Sequence, residues 1–254
     1  MLTSATDLRP AFLASVTSAE EALIAASAGA DIIDCKDPSA GALGALPLEI
    51  IREIVATVGS KISVSATVGD LPNDPSIMVA AAEKTASTGV QYVKIGFFGP
   101  HDPRPAISAL GLSHLGQARL IAVLMADQSP DFAVVRDLAQ NRFAGVMLDT
   151  ADKSLGALPE ILSPQKLAEF VSLAKQHGLV TGLAGSLQRH HVRQLLALRP
   201  DILGFRGALC RDGRVSALDA AHVAAVRNDI SAQHIGRFGF RNAPQVRTRV
   251  MDPR

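Results

Sequence analysis

Asp31-Ile-Ile-Asp-Cys-Lys-Asp-Pro38 is an apolar strand pattern that ends in charge instead of a turn. Strand side chains alternate with period two, so Ile32, Asp34 and Lys36 share one face while Ile33 and Cys35 share the other. A lysine aimed into a barrel mouth beside a carboxylate can form a Schiff base with a carbonyl substrate; the alternative is an ion pair at a strand end. The flanks carry helical periodicity, at residues 18–28 before this strand and 47–58 after it.

That unit recurs along the chain. Short apolar runs at 12–16, 31–35, 61–66, 92–95, 120–124, 145–148, 179–182 and 202–205 read as strands. Amphipathic patterns at 18–28, 47–58, 74–88, 102–116, 130–140, 163–177, 188–198 and 217–230 read as helices. Ser18-Ala-Glu-Glu21 has the spacing of a capping box, and Ser163-Pro164 puts proline at a first helical position. Gly29, Gly89 and Gly178 follow helices where a left-handed cap needs no Cβ. Eight strand–helix units in a chain of 254 residues predict a closed (β/α)₈ TIM barrel, with an open doubly wound sheet as the runner-up. A weak repeat four units apart agrees with closure: Leu43-Gly-Ala-Leu-Pro47 recurs as Leu155-Gly-Ala-Leu-Pro159, and Gly96-Phe-Phe-Gly99 as Gly204-Phe-Arg-Gly207. The barrel domain is expected over 1–235. Residues 236–254, polar and with five arginines, are expected to be a basic tail or an arm that docks on a neighbouring subunit.

Composition narrows the partners. Hydrophobic residues make up 48% of the chain, enough for a large core, and the net charge of +1 gives no reason to expect nucleic acid or an anionic membrane. No apolar run approaches the length of a membrane span, and the first ten residues lack a secretory pattern, so a cytoplasmic protein is expected. The two cysteines, Cys35 and Cys210, have no CxxC spacing and the histidines form no HExxH pattern, so no metal is expected. His190-His191 reads as a surface pair.

Chemistry in such barrels sits at the carboxyl ends of the strands. The charges collected there are Asp34 and Lys36, Lys94, Asp149 and Lys153 in Met147-Leu-Asp-Thr-Ala-Asp-Lys153, and Arg206. All belong to even-numbered strands, so Lys36, Lys94 and Asp149 can converge on the axis. Neighbouring ammonium groups disfavour each other's charge, which leaves one amine free to act as a nucleophile. The alternative is a structural charge network that plugs the barrel. After the seventh and eighth strands, Gly182-Leu-Ala-Gly-Ser186 and Gly204-Phe-Arg-Gly-Ala208 suit an anion site built from backbone amides, with Gly185, Ser186, Gly207 and Arg206 as phosphate-binding candidates. Glycines that serve only tight turns, and an Arg206 paired with an acidic rim residue, are the alternatives. Gly96 and Gly99 offer a second anion site by analogy.

With Asp-Ile-Ile-Asp-x-Lys-x-Pro, Val-Lys-Ile-Gly, Met-Leu-Asp-Thr-Ala-x-Lys and Ala-Gly-Ser-Leu in order over about residues 12–226, the chain resembles the (5-formylfuran-3-yl)methyl phosphate synthase family. The resemblance implies a cofactor-free TIM-barrel lyase that joins two molecules of glyceraldehyde 3-phosphate, with loss of phosphate and water, in methanofuran biosynthesis. It implies Lys36 as the Schiff-base lysine, Asp34 as its neighbouring carboxylate and Lys94 as the proton acceptor. Asp149 and Lys153 complete the site. The expected partner is a phosphorylated triose, and a homo-oligomer is expected. Alternatives are another Schiff-base barrel of the class I aldolase or transaldolase type, and a non-catalytic protein that binds a phosphorylated ligand.

Overall fold

A computed structural model describes residues 9–235. The expected tail at 236–254 lies outside the described residues. Eight strands close into one barrel in the order β1 to β8, every neighbour parallel. They are β1 (Ala11–Val16), β2 (Ile32–Cys35), β3 (Ser63–Thr67), β4 (Tyr92–Phe97), β5 (Arg119–Met125), β6 (Gly145–Asp149), β7 (Val180–Leu183) and β8 (Ile202–Phe205). The β1–β8 pairing, Ala11 beside Ile202 through Ala14 beside Phe205, removes both sheet edges and with them the open-sheet alternative.

The crossovers are α1 (Ala19–Ser27), α2 (Leu48–Val58), α3 (Pro75–Ala86), α4 (Arg104–Gly111), α5 (Val134–Gln140), α6 (Leu158–Ile161), α7 (Pro164–Gln176), α8 (Val192–Leu196) and α9 (Ala220–Ile235). Several depart from the expected bounds: α4 ends at Gly111 and not at 116, and α5 starts at Val134 and not at 130. One turn of α6 precedes the sixth crossover helix, with Pro159 inside it. The seventh crossover opens with a 3₁₀ turn, Arg189–His191, in which His191 Nδ1 accepts from Gln188 N at 3.1 Å, so His191 is a buried cap and not half of a surface pair. Before α9 the chain makes an antiparallel bridge, Cys210 to Leu218, which delays the helix start.

Caps follow the local chemistry. Ser18 Oγ accepts from Glu21 N at 3.2 Å, but Glu21 does not close the box on Ser18; its Oε2 takes the N–H of Thr17 at 2.8 Å. Ser163 caps α7 with proline next to it, and φ is positive at Gly29, Gly89 and Gly178.

Period-two alternation sorts the apolar residues into two clusters. Outward residues such as Phe12, Ile33, Cys35, Val93 and Leu148 pack with Ile54, Leu110 and Phe170 of the helices. Inward residues, among them Leu13, Ile32, Ile121, Val123 and Met147, fill part of the lumen. Cys35 therefore sits outside the lumen, as its alternation with Lys36 requires. What the fold supplies to the site is a ring of inward positions whose upper level is polar: Ser15, Asp34, Ser65, Lys94 and Asp149, all buried.

Candidate active site

The β1–β2 ladder runs one residue past Cys35, where Lys36 N donates to Val16 O at 3.1 Å. That bond holds the backbone extended and sends the Lys36 side chain inward. Lys94 is anchored mid-strand in β4, Asp149 ends β6, and Lys153 opens the 3₁₀ turn Lys153–Leu155. From these separate strands the five charges meet: Lys36 Nζ lies 3.1 Å from Asp149 Oδ2, Lys94 Nζ 2.9 Å from Asp34 Oδ2, and Lys153 Nζ 2.6 Å from Asp149 Oδ1. The pairing is crossed. Asp34 stands next to Lys36 in sequence but serves Lys94, because Lys36 reaches across the lumen to Asp149.

Two serines complete the cluster. Ser65 Oγ donates to Asp34 Oδ1 at 2.6 Å, and Ser15 Oγ donates to Asp34 Oδ2 at 3.0 Å. Ser65 is therefore a ligand of the carboxylate and not strand filler. Ser15 comes from an odd-numbered strand and went unpredicted, though its register opposite Asp34 on β1–β2 places it.

Three ammonium groups face two carboxylates, so full ionisation leaves an excess positive charge inside the barrel. The excess falls on Lys36. Burial pushes its amine down, Lys153 and Lys94 push it further, and Asp149 and Asp34 only partly offset them, leaving it at about 8. Burial alone would raise the Asp149 carboxyl, but the three lysines hold it well below the usual carboxylate range. Asp149 is thus a poor base and a good anchor. A lysine at about 8 holds roughly 300-fold more free amine at neutral pH than one at its ordinary value.

The loops above the cluster are braced by two carboxylates that sequence reasoning missed. Asp70, beyond β3, accepts Ala42 N at 2.8 Å and Leu43 N at 2.7 Å. Asp127, beyond β5, accepts Ala151 N and Asp152 N, both at 2.7 Å. Odd strands thus supply the carboxylates that hold the loops of even strands, and Asp127 positions the turn that carries Lys153. The available signal was an aspartate two or three residues past each of those strands.

The anion-site expectations divide. Gly185 (φ +104) and Ser186 (φ +49) form a left-handed turn at the end of β7; a Cβ on Gly185 would come within 2.9 Å of Thr150 Cγ2. Gly207 begins a 3₁₀ turn just past β8, on the adjacent strand. Among the described residues, the N–H groups of Gly185, Ser186 and Gly207 reach no backbone acceptor outside regular elements. Arg206 is a correction. All five of its guanidinium hydrogens have acceptors: Arg214 O, Ser15 O, Ser216 O and both oxygens of Glu21, the closest at 2.6 Å. It ties the loop after β8 to α1, the rim pairing that was its alternative role, and Glu21 is held below its ordinary range against the effect of its burial. The second anion site is a further correction. Gly99 N is already given to Gln128 Oε1 at 2.7 Å, and Gly96 lies under Leu43 and Phe98, either of which would sit 2.5 Å from an added Cβ. Arg214, beside Gly207, is a cation that sequence reasoning overlooked; its Nη2 reaches Gly41 O at 3.0 Å across the mouth.

No helix among the described residues is long and apolar enough to cross a membrane. Residues 12–227 match the family described as 4-HFC-P synthase. A putative (5-formylfuran-3-yl)methyl phosphate synthase from Methylorubrum extorquens is 43% identical over 224 residues, covering 88% of this chain and 92% of the relative. The (5-formylfuran-3-yl)methyl phosphate synthase from Methanopyrus kandleri is 37% identical over 217 residues, covering 81% and 92%. Among solved structures, 3-hexulose-6-phosphate synthase from Salmonella typhimurium superposes with TM-score 0.65 at 14% identity, over 88% of this chain and all (100%) of that one. Phosphoribosyl anthranilate isomerase from Thermus thermophilus gives 0.64 at 17%, over 88% and 99%. At such identities the structural likeness shows the barrel alone.

Proposed function

The chain belongs to the (5-formylfuran-3-yl)methyl phosphate synthase family, and from that premise we propose that it makes this furan phosphate from two molecules of glyceraldehyde 3-phosphate through a Schiff base on Lys36. The observation that carries the reading is the buried Lys36 amine, brought to about 8 and held 3.1 Å from a carboxylate that stays ionised.

One triose phosphate isomerises to its ketone form, and the free amine of Lys36 adds to the carbonyl, expelling water as the iminium forms. The iminium acidifies the adjacent C–H. Lys94, matched to the family's proton acceptor, takes that proton in its uncharged form, since Asp149 is too weak a base. The resulting enamine attacks the aldehyde of the second triose phosphate. Elimination of one phosphate, ring closure in which a hydroxyl displaces the Lys36 amine and frees the enzyme, and dehydration give the aromatic ring; counting the water lost as the iminium formed, the balance is two triose phosphates to one furan phosphate, one inorganic phosphate and two waters. Asp149 anchors Lys36 and Lys153; Asp34, with Ser15 and Ser65, anchors Lys94. The amides of Gly185, Ser186 and Gly207, with Arg214 beside them, hold a substrate phosphate where this barrel type places one. The product then serves biosynthesis of a methanofuran-type one-carbon carrier.

The test supplies glyceraldehyde 3-phosphate alone and follows the furan aldehyde chromophore together with released phosphate. Both appear with the native enzyme. Lys36→Arg abolishes both, because a guanidinium keeps the charge but cannot form the imine. An aldol adduct without ring formation would assign the site to another Schiff-base barrel, and turnover by Lys36→Arg would remove the imine altogether.

A further inference from the structure

We propose that the lumen beneath the lysine–aspartate cluster is a solvent shaft, open at the amino-terminal face of the barrel, through which Lys94 exchanges its proton with bulk water. The inference rests on the reading of Lys94 as the base.

The lower barrel is not packed shut. Ala11 and Ser63, small residues at the starts of β1 and β3, help to leave a cavity of about 620 Å³ among otherwise mostly apolar inward side chains. Its roof is Ser65 and Lys94, both bonded to Asp34, at 2.6 and 2.9 Å. Ser63 and Tyr92 add polar groups to walls otherwise made by side chains such as Ile32 and Ile202. Its rim is the opposite end of the barrel from the mouth: among the described residues, Arg9, Asp31, Lys175, Arg199 and Asp201 surround the opening. An apolar void stays dry, but one with several polar partners and a charged rim fills; at ~30 Å³ per molecule this volume holds roughly 20 waters.

The need for such a shaft follows from the mouth. Lys94 is 3% exposed, and Leu43 and Phe98 close over Gly96, two residues further up the same strand face. Once substrate fills the space above, a base that has taken a carbon-bound proton has no route to solvent on that side. Below, the route is direct. The Lys94 nitrogen hands the proton it has taken to a cavity water, and an equivalent proton leaves along the water file at the rim. Asp34 and Ser65 keep the nitrogen in place while this happens.

Two experiments decide it. In the first, Ser63→Cys puts a thiol on the cavity wall near the amino-terminal entrance, while Cys35 and Cys210 are buried. Modification with benzyl methanethiosulfonate plugs the shaft, and the unmodified variant is the reference. The expected result is at least a tenfold fall in kcat with KM within twofold, reversed by dithiothreitol, while cyanoborohydride still traps Lys36 to the same extent as a check on folding. A plugged enzyme with unchanged kcat, or one altered in KM alone, overturns the proposal. In the second, a high-resolution crystal structure is expected to show ordered water from the rim to hydrogen-bond distance of Lys94 Nζ; a dry or blocked lumen overturns the proposal whatever the activity. Failure of the unmodified enzyme to make the furan would count against the proposed function instead, and the water file would still be decided on its own.

Discussion

Replacing Lys153 by methionine tests whether crowding of charge sets the reactivity of Lys36. The two ammonium groups flank one carboxylate, Lys36 at 3.1 Å from Oδ2 and Lys153 at 2.6 Å from Oδ1. That geometry separates the nitrogens by ~6 Å, and at an effective dielectric of ~20 their repulsion is about 3 kcal/mol. Lys153 is 17% exposed, which screens part of this, so a shift of one to two powers of ten in the Lys36 proton affinity is a fair range. The sign is unambiguous. Removing a neighbouring cation favours the protonated form, and Asp149 becomes more fully available to Lys36, so both changes raise its pKa. Methionine keeps the stem volume, and Thr150 N still donates to Asp149 Oδ1 at 2.7 Å. The assay is reductive trapping of Lys36 with glyceraldehyde 3-phosphate and cyanoborohydride across the pH range, read by peptide mass. It does not depend on later steps of turnover. The native midpoint falls near 8. The variant midpoint falls between about 9 and 10, while Lys153→Arg, which keeps the charge, stays near the native value. A Lys153→Met midpoint that does not move, or moves down, would refute the charge-crowding argument even if activity were lost.

Two further expectations separate structural ion pairs from catalytic ones. Arg206→Met removes the cation that pairs with Glu21 and the donor to three carbonyls in a buried setting, and stability falls by about 3–5 kcal/mol. KM for the phosphorylated substrate, measured well below the new melting temperature, stays within about twofold; a large rise in KM would return Arg206 to the phosphate site. Asp127→Asn leaves one of the N–H groups of Ala151 and Asp152 facing an amide nitrogen, lowers stability by about 1–2 kcal/mol and lowers kcat about tenfold, because the Lys153 turn loses its brace. Stopped assays with parallel thermal melts would show both effects, and an unchanged kcat would confine Asp127 to a structural role.

The barrel was legible because its signal is local. Period-two strands, glycine-ended helices and caps each occupy a few residues, and eight repeats leave closure as the simplest arrangement. The inward aim of Lys36, Lys94 and Asp149 was legible for the same reason: alternation along one strand fixes a face. Choice of partner is different, since it depends on separations that no single strand encodes. Lys36 meets Asp149 across 113 positions of sequence, and Arg206 meets Glu21 across 185, so adjacency suggested Asp34 for the one and a phosphate for the other. Gly99 misled in the same manner, because Gln128, on the next strand's loop, consumes the amide that the glycine pattern offered to an anion. The amino-terminal cavity is the extreme case. Ala11 and Ser63 are each ordinary at a strand start, and only their placement on neighbouring sides of a closed ring leaves a space that a packed barrel would fill. Filling that space with a larger apolar side chain at Ser63 is therefore expected to act on Lys94, which lines its roof, by displacing the water proposed there.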